Sequence, residues 1–198
     1  MQTHYAGRSA GSRWKPEEID FMMVTTQEPQ PTPDGWVAIE ARMGRELSVF
    51  YLKKTDDGYK IDWMASVGFN TISPASFRAT KPLAPVRFRA IANLADYYNF
   101  DFFGRQDVFW SVRLEDTNRT DIGHGYVRKD GPDGYKLFQC LKDGQGHRVV
   151  VDLHYTPWSE DPSVFMISRV VATDSWWYPE GSAAVAVPKA ASAGRPTK

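Results

Sequence analysis

The chain has 198 residues, 42% apolar and 14% aromatic, enough for one domain or two small ones with a substantial core. Its 24 basic and 24 acidic residues cancel, which argues against nucleic acid or anionic lipid as partner, since either would be signalled by a basic excess. The single cysteine, Cys140, excludes an internal disulfide and, flanked by Phe138 and Leu141, reads as a buried structural thiol.

Taken in chain order, residues 1–13 are small and polar and are expected to form a disordered arm. Trp14 to Val24 reads as a short helix, with Pro16 in its first turn and Glu17 and Glu18 at the positive end of its dipole. EPQPTPDG, with three prolines in eight residues, is a stiff connector. Trp36 to Ala41, Leu47 to Lys53 and Tyr59 to Val67 alternate as strands, the last placing Ile61, Trp63 and Ala65 on one face. Thr55-Asp56-Asp57-Gly58 between the second and third is a hairpin turn, because Gly58 tolerates positive φ. Ser73 to Ala79, with an N-cap serine before proline, predicts a helix of one or two turns.

From Val86 the pattern is strand upon strand: VRFRAIANL, then Val108 to Glu115, then Gly123 to Lys129. Tyr135 to Lys142 has helical spacing and stops at Asp143-Gly144. Arg148 to Tyr155 and Val164 to Ala172 are two further strands, and an Ala-, Ser-, Gly- and Pro-rich tail over 179–198 is expected to be disordered. Three strands, a helix and two strands is the order of an OB-fold, a small Greek-key barrel. The expectation is a mainly β (α+β) protein: a 14–85 region with a β-hairpin and short helices, then an OB-like five-stranded barrel over 86–178. A single curved sheet from Trp36 to Trp177 with helices on one face is the competing layout.

The densest feature is DYYNFDFF, Asp96 to Phe103, with five aromatic rings in eight residues. Each ring must find cover on a core, a partner or a ligand, and the spacing fits a strand entering a wide turn. Tyr97, Tyr98, Phe100 and Phe102, with Phe109 and Trp110 on the next strand, are therefore the candidate binding residues. A second constellation, Asp62, His124, Asp152 and His154, could furnish an acid–histidine pocket, since Asp152 and His154 project to the same side of one strand. His147, Asp152 and His154 have metal-ligand chemistry, but a hydrated face is the simpler reading, so no metal and no cofactor are expected. Arg87 and Arg89 alternate on one side of their strand and could clamp an anion or merely solubilise an edge. The region 86–178 holds 11 Lys and Arg against 13 Asp and Glu, so tracking along a nucleic-acid backbone is disfavoured even with stacking rings present. No phosphate loop, dinucleotide fingerprint, nucleophile elbow or HExxH motif occurs.

The phrases YLKKTDDGYKIDWMASVG, FRATKPLAPVRFRA, DYYNF and DGYKLFQCLKDG, from about Asp34 to Trp177, resemble an uncharacterised family of bacterial proteins. That family is marked by a KIDWE-x-x-VGY phrase, an FRA…P phrase, DYYNF and a terminal tryptophan. It has no assigned activity, so the resemblance implies no catalytic residues; its members often sit behind a membrane anchor or leader. Met64 stands where the family often has Glu.

No apolar run reaches the roughly 18–20 residues of a membrane helix, and the opening MQTHYAGRSAGSR is not a secretory signal. The default expectation is a cytoplasmic protein, or an envelope-associated one if a leader was removed; oligomeric state is left open. The leading functional expectation is a non-enzymatic binding or interaction module whose aromatic surface meets a protein, peptide or glycan. The alternatives are a small enzyme using the acid–histidine pocket and a structural domain of an envelope-associated assembly that docks through its sheet edge or Trp176-Trp177.

Overall fold

The computed structural model describes residues 35–43 and 46–178. The expected arm, the Trp14 to Val24 helix and the tail lie outside the described residues. Two compact units divide between Ile61 and Asp62. Among the described residues no helix is long and apolar enough to cross a membrane.

The first unit carries a three-stranded sheet, β1 (Trp36–Met43), β2 (Glu46–Thr55) and β3 (Gly58–Asp62), in the order β1-β2-β3. β1 and β2 run antiparallel with Trp36 opposite Lys53, whose ammonium lies 5.6 Å from the indole centroid. The hairpin turn falls where the sequence places it: Gly58 adopts φ 109°, and Thr55 Oγ1 donates to Gly58 O at 2.8 Å.

The third strand is shorter than the alternation predicts. β3 ends at Asp62, and Trp63–Ser66 forms a single helical turn, α1. Asp62 causes the break. Its carboxylate accepts from Ala65 N at 2.9 Å, and its carbonyl accepts from Ser66 Oγ at 2.7 Å. An N-cap that satisfies the first helical donors outcompetes continued pairing, so the shared face of Ile61, Trp63 and Ala65 does not exist.

The second unit opens with α1 and α2 (Pro74–Thr80), the latter capped by Ser73, which accepts from Ser76 N at 3.1 Å. Five strands follow: β4 (Val86–Ala95), β5 (Phe109–Glu115), β6 (Asp121–Arg128), β7 (His147–His154) and β8 (Val164–Thr173), with α3 (Pro132–Leu141) between β6 and β7. β4 serves two partners, β7 along Val86–Ala92 and β5 along Ile91–Ala95. β5 pairs with β6, β6 with β8 in parallel, and β8 with β7. The order β4-β5-β6-β8-β7 thus returns to β4. Each strand in such a ring has both edges occupied, which removes the open edge a sheet otherwise presents.

Strand alternation sends one set of side chains inward: Phe88, Ala90 and Ala92, then Val112 and Leu114, then Val149, Val151 and Leu153, then Phe165 and Ile167, all buried. Phe77 of α2 enters this core fully buried, with ring centroids 5.0 Å from Phe88, 5.0 Å from Tyr155 and 5.3 Å from Phe165. α3 contributes Leu137 and Leu141 and stacks Phe138 on Trp110 at 4.4 Å. In β6 the run Gly123-His124-Gly125 is set by packing. Gly123 has φ 134°, and a Cβ there would meet Ser163 O at 2.5 Å and the Phe165 ring at 2.9 Å.

Candidate binding surface

The aromatic segment leaves β4 at Ala95 and returns across the outer face of β5 and β6. Its backbone is not a continued strand: Phe100–Phe102 is a 3-10 turn that follows an extended Asn99. Tyrosine hydroxyls fasten it. Tyr98 Oη donates to Phe109 O at 3.0 Å and accepts from Ser111 N at 3.3 Å, while Tyr126 Oη donates to Tyr97 O at 2.7 Å. Burial pushes the Tyr126 phenol up to about 12, so it remains a donor at any ordinary pH. Phe102 stacks on Tyr126 with centroids 3.6 Å apart, and its edge meets Phe109 at 5.3 Å. Phe102, Phe109, Tyr126 and Val164 form a second apolar cluster, with Tyr97, Tyr98 and Met166 packed against it.

The five rings of the segment therefore divide. Phe102 is 4% exposed, Tyr97 and Tyr98 are half-buried, and Phe100 and Phe103 project at 53% and 80% exposure. Of the six candidate binding residues, Phe100 alone is exposed. Phe109 is covered by the segment, and Trp110, expected on the surface, packs half-buried between Phe138 and the Lys129 ammonium at 3.9 Å. Phe103, which strand alternation would set on the opposite face from Phe102, is the most exposed ring of the segment. Two features set this turn apart. Phe100 has φ 52°, a left-handed backbone that a bulky residue adopts only under constraint. Asp101 Oδ2 is buried without a hydrogen-bond partner.

Removing the Tyr98 hydroxyl tests how the segment is held. Tyr98→Phe should cost about 1 kcal/mol, the net value of a hydrogen bond of this kind. Hydrogen exchange of amides 96–103 should accelerate more than that of the barrel strands. Uniform acceleration across both would show that the hydroxyl does not fasten the segment.

The four residues of the acid–histidine constellation are engaged separately. Asp62 caps α1. His124 stacks under Tyr97 at 4.1 Å, and burial holds its imidazole below the usual histidine range. Asp152, 2% exposed, receives a two-pronged ion pair from Arg87 at 2.9 and 3.1 Å. His154 sits opposite Met166, pulled below its usual pKa by burial, with Nδ1 buried and unpartnered. Among the described residues no hydrogen bond joins any two of the four.

The arginines are also taken up. Arg89 donates to Trp176 O at 3.0 Å and Phe69 O at 2.8 Å, fixing both segments across β4. Trp176, expected as a docking residue, is 8% exposed, and its indole N–H donates to Ala90 O at 3.0 Å. On β5, β6 and their connections Arg113 lies 3.2 Å from Glu115, Arg119 3.2 Å from Glu115 and Arg128 2.7 Å from Asp130. These exposed pairs add little stability, but each cation has a carboxylate beside it.

A grouping that residue spacing did not reveal lies at the far end of α3. His147 Nδ1 is 2.6 Å from Asp174 Oδ1, and His147 Nε2 is 2.9 and 3.0 Å from the two oxygens of Asp143. Cys140 Sγ is 3.6 Å from Asp174 Oδ1. The thiol is half-buried, and burial, then Asp174, pushes its pKa up to about 11. The one sequence signal is the Cys140, Asp143, His147 spacing around the helix stop; Asp174 arrives only through the β7–β8 pairing. No protein-family model, curated protein or solved structure matches the chain.

Proposed function

We propose that the protein is a non-enzymatic binding module, an OB-type barrel that takes an uncharged partner, peptide or glycan, on the turn bearing Phe100 and Phe103. The observation that carries this reading is Phe100: a left-handed, non-glycine backbone that holds a large ring 53% exposed. Strain of this kind costs about 1–3 kcal/mol and concentrates at ligand contacts. The rings beneath it anchor the turn, so Phe100 and Phe103 are presented on a fixed platform and lose little entropy on binding.

The OB-type assignment rests on the ring order, the parallel β6–β8 pair and the helix between the third and fourth barrel strands. In such barrels the second and third strands and the loops before the second and fifth strands bind oligomeric ligands. Those loops here are the aromatic segment and residues 155–163, where Trp158 is 66% exposed. Arg87, Arg113, Arg119 and Arg128 each have a carboxylate beside them, and cations neutralised in this way are poorly placed to track a phosphate backbone.

The test compares wild type with Phe100→Ala/Phe103→Ala on arrays of peptides and neutral oligosaccharides, followed by calorimetry on hits. Both rings are exposed, so the melting transition should stay within about 0.5 kcal/mol of wild type. Affinity for a bound ligand should fall at least tenfold, about 1.4 kcal/mol. Full retention of binding by the double variant, or silence of both arrays, sinks the proposal.

A further inference from the structure

We propose that Cys140, His147 and Asp174 form a site for a zinc-type divalent transition metal, with Asp143 orienting the histidine from behind. The three residues come from α3, the start of β7 and the residue after β8, so the ring of strands, not local sequence, brings them together. One ligand atom from each lies within 4.8 Å of the others.

The donors fit a tetrahedral ion. Metal–sulfur bonds of ~2.3 Å and metal–nitrogen or –oxygen bonds of ~2.0 Å set neighbouring ligand atoms about 3.3–3.6 Å apart. The Cys140 Sγ to Asp174 Oδ1 separation, 3.6 Å, already meets this. The His147 Nδ1 to Asp174 Oδ1 separation is 2.6 Å, the length of a hydrogen bond in which a proton occupies the position of the ion. Exchanging that proton for a metal opens the pair by about 0.7 Å, within the reach of small side-chain rotations.

Asp143 supplies the outer support. A metal-bound histidine characteristically donates its second ring N–H to a carboxylate, which fixes its tautomer and orientation. His147 Nε2 faces both Asp143 oxygens at 2.9 and 3.0 Å, leaving Nδ1 aimed at Asp174 and Cys140. A mixed sulfur, nitrogen and oxygen set excludes calcium and magnesium, which require oxygen ligands, and favours zinc. Three protein ligands, with Asp174 exposed, leave a fourth position for water. Binding displaces the Cys140 thiol proton and any proton held between His147 Nδ1 and Asp174, and no electron moves.

Untagged full-length protein, stripped with a chelator, is titrated with cobalt(II) and then zinc. One equivalent of cobalt should produce a thiolate-to-metal charge-transfer band and the intense visible bands of a tetrahedral site, both bleached by zinc. Cys140→Ser should abolish the charge-transfer band and weaken binding at least tenfold. Asp143→Asn should retain the band with affinity lowered 10–100-fold. Circular dichroism of each variant separates loss of the site from loss of the fold. A well-folded wild type with no charge-transfer band at saturating cobalt overturns the proposal, as does unchanged affinity in folded Cys140→Ser and His147→Gln.

Discussion

Phe77→Ala should cost about 3–5 kcal/mol of folding stability, read as a fall in the urea midpoint. Phe77 is a single side chain on a seven-residue helix, yet it is fully buried and touches Phe88, Tyr155 and Phe165. Those three rings come from β4, from the residue after β7 and from β8, so the deleted ring is shared by separate parts of the barrel. The rigid strands around it limit collapse into the cavity, which places the cost toward the upper part of the range for large-to-small changes. Against a typical total of about 5–15 kcal/mol, the variant would be marginal. Phe77→Leu, which keeps most of the volume, should cost less than half as much. A loss below about 1 kcal/mol for Phe77→Ala would mean that α2 is peripheral to the barrel core.

That α2 would exist was legible, and what it does was not. Ser73 before Pro74 announces a helix start through the N-cap and the preset proline φ. Nothing local says that Phe77 enters the barrel core, because its ring neighbours Phe88, Tyr155 and Phe165 come from distant parts of the chain. The positions of β4 to β8 along the chain could be read because interior residues alternate with period two along each strand. The expected Val164 to Ala172 strand and the observed Val164–Thr173 differ by one residue.

Alternation misled where a side chain bonds its own backbone or where long-range hydrogen bonds set direction. Asp62 ended β3 early by capping α1. The aromatic run turned into a 3-10 helix because Tyr98 and Tyr126 hydroxyls tie it to the strands beneath. Its count of rings suggested a surface, but the division into anchors and projecting rings is tertiary. The same holds for Cys140, whose apolar neighbours suggest a core thiol and say nothing of Asp174, 34 residues away.

Gly134→Ala should destabilise the protein by about 1–3 kcal/mol, the usual cost of overpacking, although the same change in an exposed helix gains about 1 kcal/mol. The sign is decided by one backbone atom. Gly134 lies in the first turn of α3, and a Cβ there would sit 1.8 Å from Arg128 O and 2.8 Å from Arg128 C. Both atoms belong to the end of β6, and neither can rotate aside as a side-chain terminus could. Relief requires α3 to shift. A shift stretches the bond from Val170 N to Asp133 Oδ1, now 2.7 Å, and the Trp110–Phe138 stack. Gly131→Ser, three residues earlier at the N-cap of the same helix, supplies the matched control. Its Cβ would meet Arg128 O at 3.8 Å, an ordinary contact, and a capping hydroxyl there should add a few tenths of a kcal/mol. Opposite signs for two glycine replacements in one helix, measured by chemical denaturation, are the expected pattern. A raised midpoint for Gly134→Ala would mean that the helix has room to move and that Arg128 does not set its position.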